Sequence, residues 1–241
     1  IEAGRIIHAI KDQAFALIGE HVRSGRDITE YEVQRFILRR FDEEGLDCMG
    51  EVPIVGVNGH PSDPHFEPTP ENTVVIREGD TVLIDLWAKF AKPGSIFYDI
   101  TWCGFVGTNP PDKYVRIFET VRDARKAAVS FVRERFARHQ KCFGYEVDDA
   151  CRSVVQASGW GDCFIHRTGH SIGVNVHGNG VNIDNLETRD LRMLVPGICF
   201  SVEPGIYLAG RMAVRSEIDV FIRKDGSVEV TGPEQESLIL V

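Results

Sequence analysis

A chain of 241 residues with 43% hydrophobic content is long enough to bury one sizeable core or two closely fused halves. Its net charge of −9, with acids and bases mixed along the chain, argues against a nucleic-acid partner, which needs a basic footprint. Six cysteines without a C-x-x-C pair read as reduced, buried thiols of a cytoplasmic protein, and no apolar run is long enough for a membrane span.

In chain order, residues 5–22 carry Ile7, Ile10, Ala14, Leu17 and Ile18 on one helical face, broken at Gly25. Thr29 and Glu32 form a capping-box signature ahead of a second helix through Val33, Phe36, Ile37 and Phe41, closed by Gly45. Apolar runs at 52–57, 81–88 and 95–107 predict strands, and the four prolines in 58–73 predict a loop between the first two. After Pro110 and Pro111 a long helix has its seam at Tyr114, Ile117, Val121, Ala124, Ala128 and Phe131. A shorter helix begins near Tyr145, and further strand-like runs lie around 163–176, 198–207 and 213–222. "YEV" opens the short helix of both halves, at 31–33 and 145–147, and the order of long helix, short helix and strands repeats with it. That matched order predicts an internal duplication within one α+β domain.

Four of the strand-like runs contain a carboxylate among apolar residues: "LIDLW" (Asp85), "FYDIT" (Asp99), "SVEPG" (Glu203) and "RSEID" (Glu217). A buried, unpaired carboxylate is costly, so each must be neutralised, either in separate ion pairs at strand ends or together. The spacing is 14 residues in each half, 85 to 99 and 203 to 217, which suits two hairpins that each present a pair of acids. The stretch "HRTGHSIGVNVHGNG" (166–180) adds His166, His170 and His177. Four carboxylates with one imidazole favour a hard divalent cation, manganese foremost, with cobalt, zinc or iron as alternatives. Four negative charges balance two such ions, which predicts a dinuclear site.

The ordered set Asp85, Asp99, His170, Glu203 and Glu217 resembles the pita-bread metallopeptidases, and "HRTGHSIG", "SVEPGIY" and "VRSEIDV" resemble the aminopeptidase P and prolidase branch. The resemblance covers almost the whole chain. It implies a pita-bread fold of two pseudo-symmetric halves, with a curved, mainly antiparallel sheet covered by helices. It implies that those five residues hold two divalent ions, with Asp99 and Glu217 touching both, and that Glu203 shuttles a proton. His65, in "DPHFEP", and His177 match the histidines that stabilise charge on the scissile carbonyl. His166 is expected to line the substrate pocket, the alternative being a turn histidine bonded to backbone. Arg215 and Asp219 flank Glu217 at i−2 and i+2, on its face of the strand, and suit a pair that orients the carboxylate, with Arg215 also near substrate.

The implied activity is an Xaa-Pro aminopeptidase acting on proline-containing peptides through a hydroxide held between the two cations. An Xaa-Pro dipeptidase, a metal-dependent lyase or a binding module on the same fold are the alternatives. Full-length relatives carry a further N-terminal domain and form homodimers, so residues 1–241 are expected to be a single catalytic domain. Three departures bear on the pocket: Trp87 where a small residue is usual, a longer loop between Asp85 and Asp99, and Gly178–Asn179 where an acid often follows the histidine.

Overall fold

The computed structural model describes every residue from Ile1 to Val241. The first half begins with α1 (Glu2–Arg23) and α2 (Glu30–Glu43). The expected capping box is formed: Thr29 Oγ1 accepts from the Glu32 N–H at 3.2 Å, and the Glu32 carboxylate accepts from the Thr29 N–H at 2.8 Å. Such a cap stabilises a helix by about 1 kcal/mol. Gly45, at φ +67°, turns the chain out of α2 in the left-handed region that other residues rarely adopt.

The chain then lays down β1 (Leu46–Asp47), β2 (Ile54–Val57), β3 (Thr81–Phe90) and β4 (Tyr98–Phe105). β3 pairs antiparallel with β1 and β2 on one edge and with β4 on the other. The proline-rich segment 58–73 is the expected loop, holding one short 3-10 turn at His60–Ser62.

The second half repeats the pattern with α3 (Asp112–Ala137) and α4 (Gly144–Ala157). Glu32 and Glu146, the central residues of the two "YEV" copies, both turn back to accept the N–H of the residue before their helix. Phe143 has no acceptor of its own, so only that half of the box exists in α4. Next come β5 (Ser171–Ile172), β6 (Cys199–Val202), β7 (Gly205–Leu208), β8 (Met212–Arg215), β9 (Ile218–Ile222) and β10 (Val228–Val230). β11 (Ile239–Leu240) returns to pair parallel with β4, the one parallel pairing in an otherwise antiparallel set.

Three of the expected strands are broken. In 163–176 only Ser171–Ile172 is extended in a ladder, because the glycines and the backbone bonds of Gly169, Gly173 and Gly178 fold the rest into loops. The runs at 198–207 and 213–222 form one hairpin with a gap. Val202 faces Ile218 and Gly205 faces Arg215 in the same register, and the gap falls at Glu203–Pro204 and Ser216–Glu217. Pro204 has no N–H to give the ladder. Glu203 and Glu217 give theirs to Thr168 and Thr101 carbonyls outside it, at 2.7 and 3.1 Å.

Strand alternation then decides where the site can be. Val82, Ile84, Leu86 and Ala88 of β3 pack beneath α1 and α2 with Ile7, Ile10, Phe15 and Ile37. Leu83 turns the other way, into a core shared with α3, α4 and the second half's strands. Each fully buried Ile or Leu contributes roughly 1.5–3 kcal/mol. β3 is thus apolar on both faces because both are covered, and Asp85 falls on the face between the halves.

Candidate metal centre

Asp85 lies across from Thr101 and Trp87 across from Asp99 in the β3–β4 ladder, so both acids and both neighbours share the inner face. Asp85 and Asp99 are therefore diagonal, whereas the register of the second hairpin puts Glu203 directly across from Glu217. The equal spacing of 14 conceals this difference between the halves. With His170, which immediately precedes β5, the four acids line one cavity of about 490 Å³ between the two halves. Donor atoms of Asp99, His170 and Glu217 lie within 4.8 Å of one another, and His170 Nε2 is 3.3 Å from Glu203 Oε1 and 3.7 Å from Asp99 Oδ2.

Three of the four acids are held by one carboxylate oxygen, and the fourth, Asp99, through its backbone. Arg215 Nη2 binds Asp85 Oδ2, and Arg215 Nε donates to Thr101 Oγ1 at 3.1 Å. Thr101 passes its own hydroxyl proton on, donating to Glu217 Oε2 at 2.7 Å. Ser201 Oγ donates to Glu203 Oε1 at 3.1 Å and accepts the His170 N–H at 3.0 Å. The Asp219 carboxylate accepts the Asp99 backbone N–H at 3.0 Å and so anchors that stretch of β4. The second oxygens, Asp85 Oδ1, Asp99 Oδ1 and Glu217 Oε1, are buried without a partner. Burial and the neighbouring carboxylates hold Asp99 and Glu217 well above the usual carboxylate range. Glu203 is pushed up to about 7 by burial, with Asp85 adding and Arg215 opposing.

His170 makes the same point from the nitrogen side. Its Nδ1 faces the Ser171 carbonyl at 3.2 Å, so Nδ1 carries the proton and Nε2 presents a lone pair to Glu203 and Asp99. Burial lowers its pKa to about 4, so these close approaches are not ion pairs. An imidazole lone pair and three orphaned carboxylate oxygens directed into one buried space repel each other. A divalent cation satisfies all of them, and the donor set of one nitrogen among oxygens suits a hard or borderline ion.

The sequence model of metallopeptidase family M24 matches residues 2–224. The chain belongs to family M24. The probable dipeptidase PepE of Mycobacterium tuberculosis is 33% identical over 240 residues, covering 100% of this chain and 59% of that protein. The Xaa-Pro dipeptidase of Lactobacillus helveticus is 34% identical over 230 residues, 95% of this chain and 57% of that one. The crystal structure of a dipeptidase from Pyrococcus horikoshii superposes with a TM-score of 0.80 at 29% identity, over 99% of this chain and 60% of that chain. The fold is thus the pita-bread fold of M24, and the chain spans about three fifths of the length of the curated relatives it matches.

Around the four acids and one histidine of this site, the structure departs from the sequence reading in the partners of Arg215 and Asp219. Arg215 and Asp219 do not pair with each other: Arg215 orients Asp85 and reaches Glu217 only through Thr101, while Asp219 holds the Asp99 backbone. Arg215 also uses all three nitrogens, the third donating to Tyr207 Oη at 2.9 Å, and it lines the cavity, so it positions these groups beside the space a substrate would take. Its charge offsets one of the four carboxylates, which weakens the simple count of charges as an argument for two ions.

His166 lines the cavity, and its Nδ1 donates to the Arg167 carbonyl at 2.7 Å. Its Nε2 then accepts from Tyr207 Oη at 2.7 Å, and burial lowers its pKa to about 3, so it is neutral. His65 stands exposed at the rim, and the His177 ring centroid lies 4.4 Å from that of His170. Thr101, Ser201 and Tyr207 were not singled out from sequence. Thr101 and Ser201 sit two residues from Asp99 and Glu203, the same-face position in a strand, and that spacing was the available signal.

Proposed function

We propose that this protein hydrolyses the peptide bond between an N-terminal residue and proline. Two divalent cations, manganese foremost, would be held by Asp85, Asp99, His170, Glu203 and Glu217, with residues 1–241 acting as one catalytic unit. The observation that carries this reading is the convergence of orphaned acid oxygens and a free imidazole lone pair on one cavity in an M24 member. Asp99 and Glu217, whose donor atoms lie within 4.8 Å of each other and of His170, suit the bridging positions.

When bound, the cations supply the positive charge that polarises the scissile carbonyl and acidifies the attacking water. The remaining work falls to the side chains. Glu203, in the wall of the cavity, is placed to take a proton from water and deliver it to the departing nitrogen. His177 and His65 face the cavity from its open side, where they can donate to the oxygen that gains charge. Asp219, Thr101 and Ser201 hold the acids still, so that little reorganisation accompanies the reaction. The proline nitrogen lacks an N–H, so recognition rests on the fit of the ring in the cavity and on the cations, not on a bond to that proton.

The sequence motifs favour an aminopeptidase; the Xaa-Pro dipeptidase reading is supported by relatives of that activity by name, such as the Lactobacillus helveticus protein. The test is the rate on matched Xaa-Pro and Xaa-Ala peptides of two, three and five residues, with manganese-loaded protein at high concentration. Cleavage of Xaa-Pro far above Xaa-Ala is expected. Equal rates would remove the proline preference, and the dependence on length separates the two peptidase readings.

A further inference from the structure

Beside the catalytic cavity lies a recess of about 240 Å³, lined by Cys48, Met49, Glu51, Phe97, Asn175, Val176 and His177. Val176 and His177 line both spaces, so the recess opens onto the cavity at the histidine that packs on His170. Between the two stands Trp87. Its ring packs on the small apolar cluster of Phe97, Ile172 and Val176, and its indole Nε1 donates to Glu51 Oε2 at 2.8 Å. That bond fixes the Glu51 carboxylate at the recess and leaves its Oε1 free.

We propose that this recess is a side-chain subsite, taking the side chain of the residue whose carbonyl is attacked and favouring a long side chain that ends in a cation. This rests on the peptidase reading above and adds to it a substrate class. The physical reason is the order of surfaces. Phe97, Met49 and Val176 offer apolar walls to a methylene stem, and Glu51 offers a carboxylate to an ammonium or guanidinium head. Two other charges stand nearby, one of each sign. Lys89 donates to the Val174 carbonyl at 2.6 Å and lies over the Phe97 ring, while Asp47 accepts the Met49 N–H at 2.7 Å. Glu51 is the one acid in the lining of the recess itself. Trp87 accordingly does two things: it narrows the catalytic cavity and holds the acid that reads the substrate.

The experiment compares Lys-Pro, Arg-Pro, norleucine-Pro and Glu-Pro on the manganese-loaded protein, with Glu51→Gln as the variant. Glutamine keeps an acceptor for the Trp87 indole and removes only the charge. The expected result is a kcat/KM for Lys-Pro about fivefold above that for norleucine-Pro, the size of one partly exposed ion pair. Glu-Pro should fall below both, the Lys-to-norleucine ratio should shrink in high salt, and in Glu51→Gln it should collapse to near one. Equal kcat/KM for the lysine and norleucine peptides in the unaltered protein would overturn the inference while leaving the peptidase reading intact. So would a lysine preference that survives in Glu51→Gln. Failure to cleave any Xaa-Pro peptide with metal bound would overturn the peptidase reading and the subsite with it.

Discussion

Arg215 is the side chain on which most of the site's order depends, and Arg215→Met tests that directly. The guanidinium is 4% exposed and donates to Asp85, Thr101 and Tyr207. Methionine preserves much of the volume but leaves Asp85 without its counter-charge, Thr101 without one donor and Tyr207 without another. Breaking one partner of a buried ion pair costs about 3–5 kcal/mol, most of it from the charge left behind. For a protein of this size that corresponds to a fall in Tm of roughly 6–20 °C. Urea unfolding of the chelated protein, followed by circular dichroism, reads the loss. The same measurement with saturating manganese should show a smaller loss, because bound cations supply Asp85 with the charge that Arg215 no longer gives. Arg40→Met serves as the control, since Arg40 pairs with Glu43 and Glu44 on the surface, where such pairs contribute at most about 1 kcal/mol. A loss below about 1 kcal/mol for Arg215→Met, or an equal loss with and without metal, would refute this account of the arginine.

Glu217→Ala removes an acid with one oxygen held by Thr101 and one orphaned, so elemental analysis should find fewer than two ions per folded chain, and activity should be nearly abolished. Two retained ions would exclude a bridging role. Gly169→Ala would place a methyl group 2.0 Å from the Ser201 carbonyl oxygen, forcing apart the segments that carry His170 and Glu203. A destabilisation of about 1–3 kcal/mol with weakened metal binding is expected, and unchanged manganese titration would contradict it.

The pH dependence follows from carboxyls raised in the folded state, whose stabilisation is present below their unfolded values and lost as pH rises through the folded ones. For Glu203 that window runs from the ordinary 4.5 to about 7, and for Asp99 and Glu217 it also extends upward. His166 and His170, lowered to about 3 and 4, work the other way, but only below their ordinary 6.5. Between pH 6.5 and 8 the chelated protein should therefore lose stability as pH rises. The gain in Tm on adding manganese should be larger at pH 8 than at 6.5, because the ligands must shed protons to bind metal. A constant gain across that range would count against the shared burial of these acids.

The sequence by itself determined the elements whose causes are local. The helical faces of α1, α2 and α3, the Thr29–Glu32 box and the turn at Gly45 follow from spacing, capping and conformational freedom, and the structure reproduces them. The acids were conspicuous for a local reason too, since Asp85 and Asp99 interrupt apolar runs where a charge has no ordinary place. Tertiary structure alone decided what neutralises them. Whether Arg215 meets Glu217 or Asp85 depends on β3 and β8 lying face to face, which no residue spacing encodes. The same holds for the broken hairpin. A strand's side-chain period shows which face Glu203 and Glu217 share, but their backbone N–H groups leave the ladder only because Thr168 and Thr101 present carbonyls from elsewhere in the fold. The recess walled by Trp87 and Glu51 is tertiary for the same reason: its two partners are 36 residues apart, and only the packing of β3 against the segment after β1 brings them together.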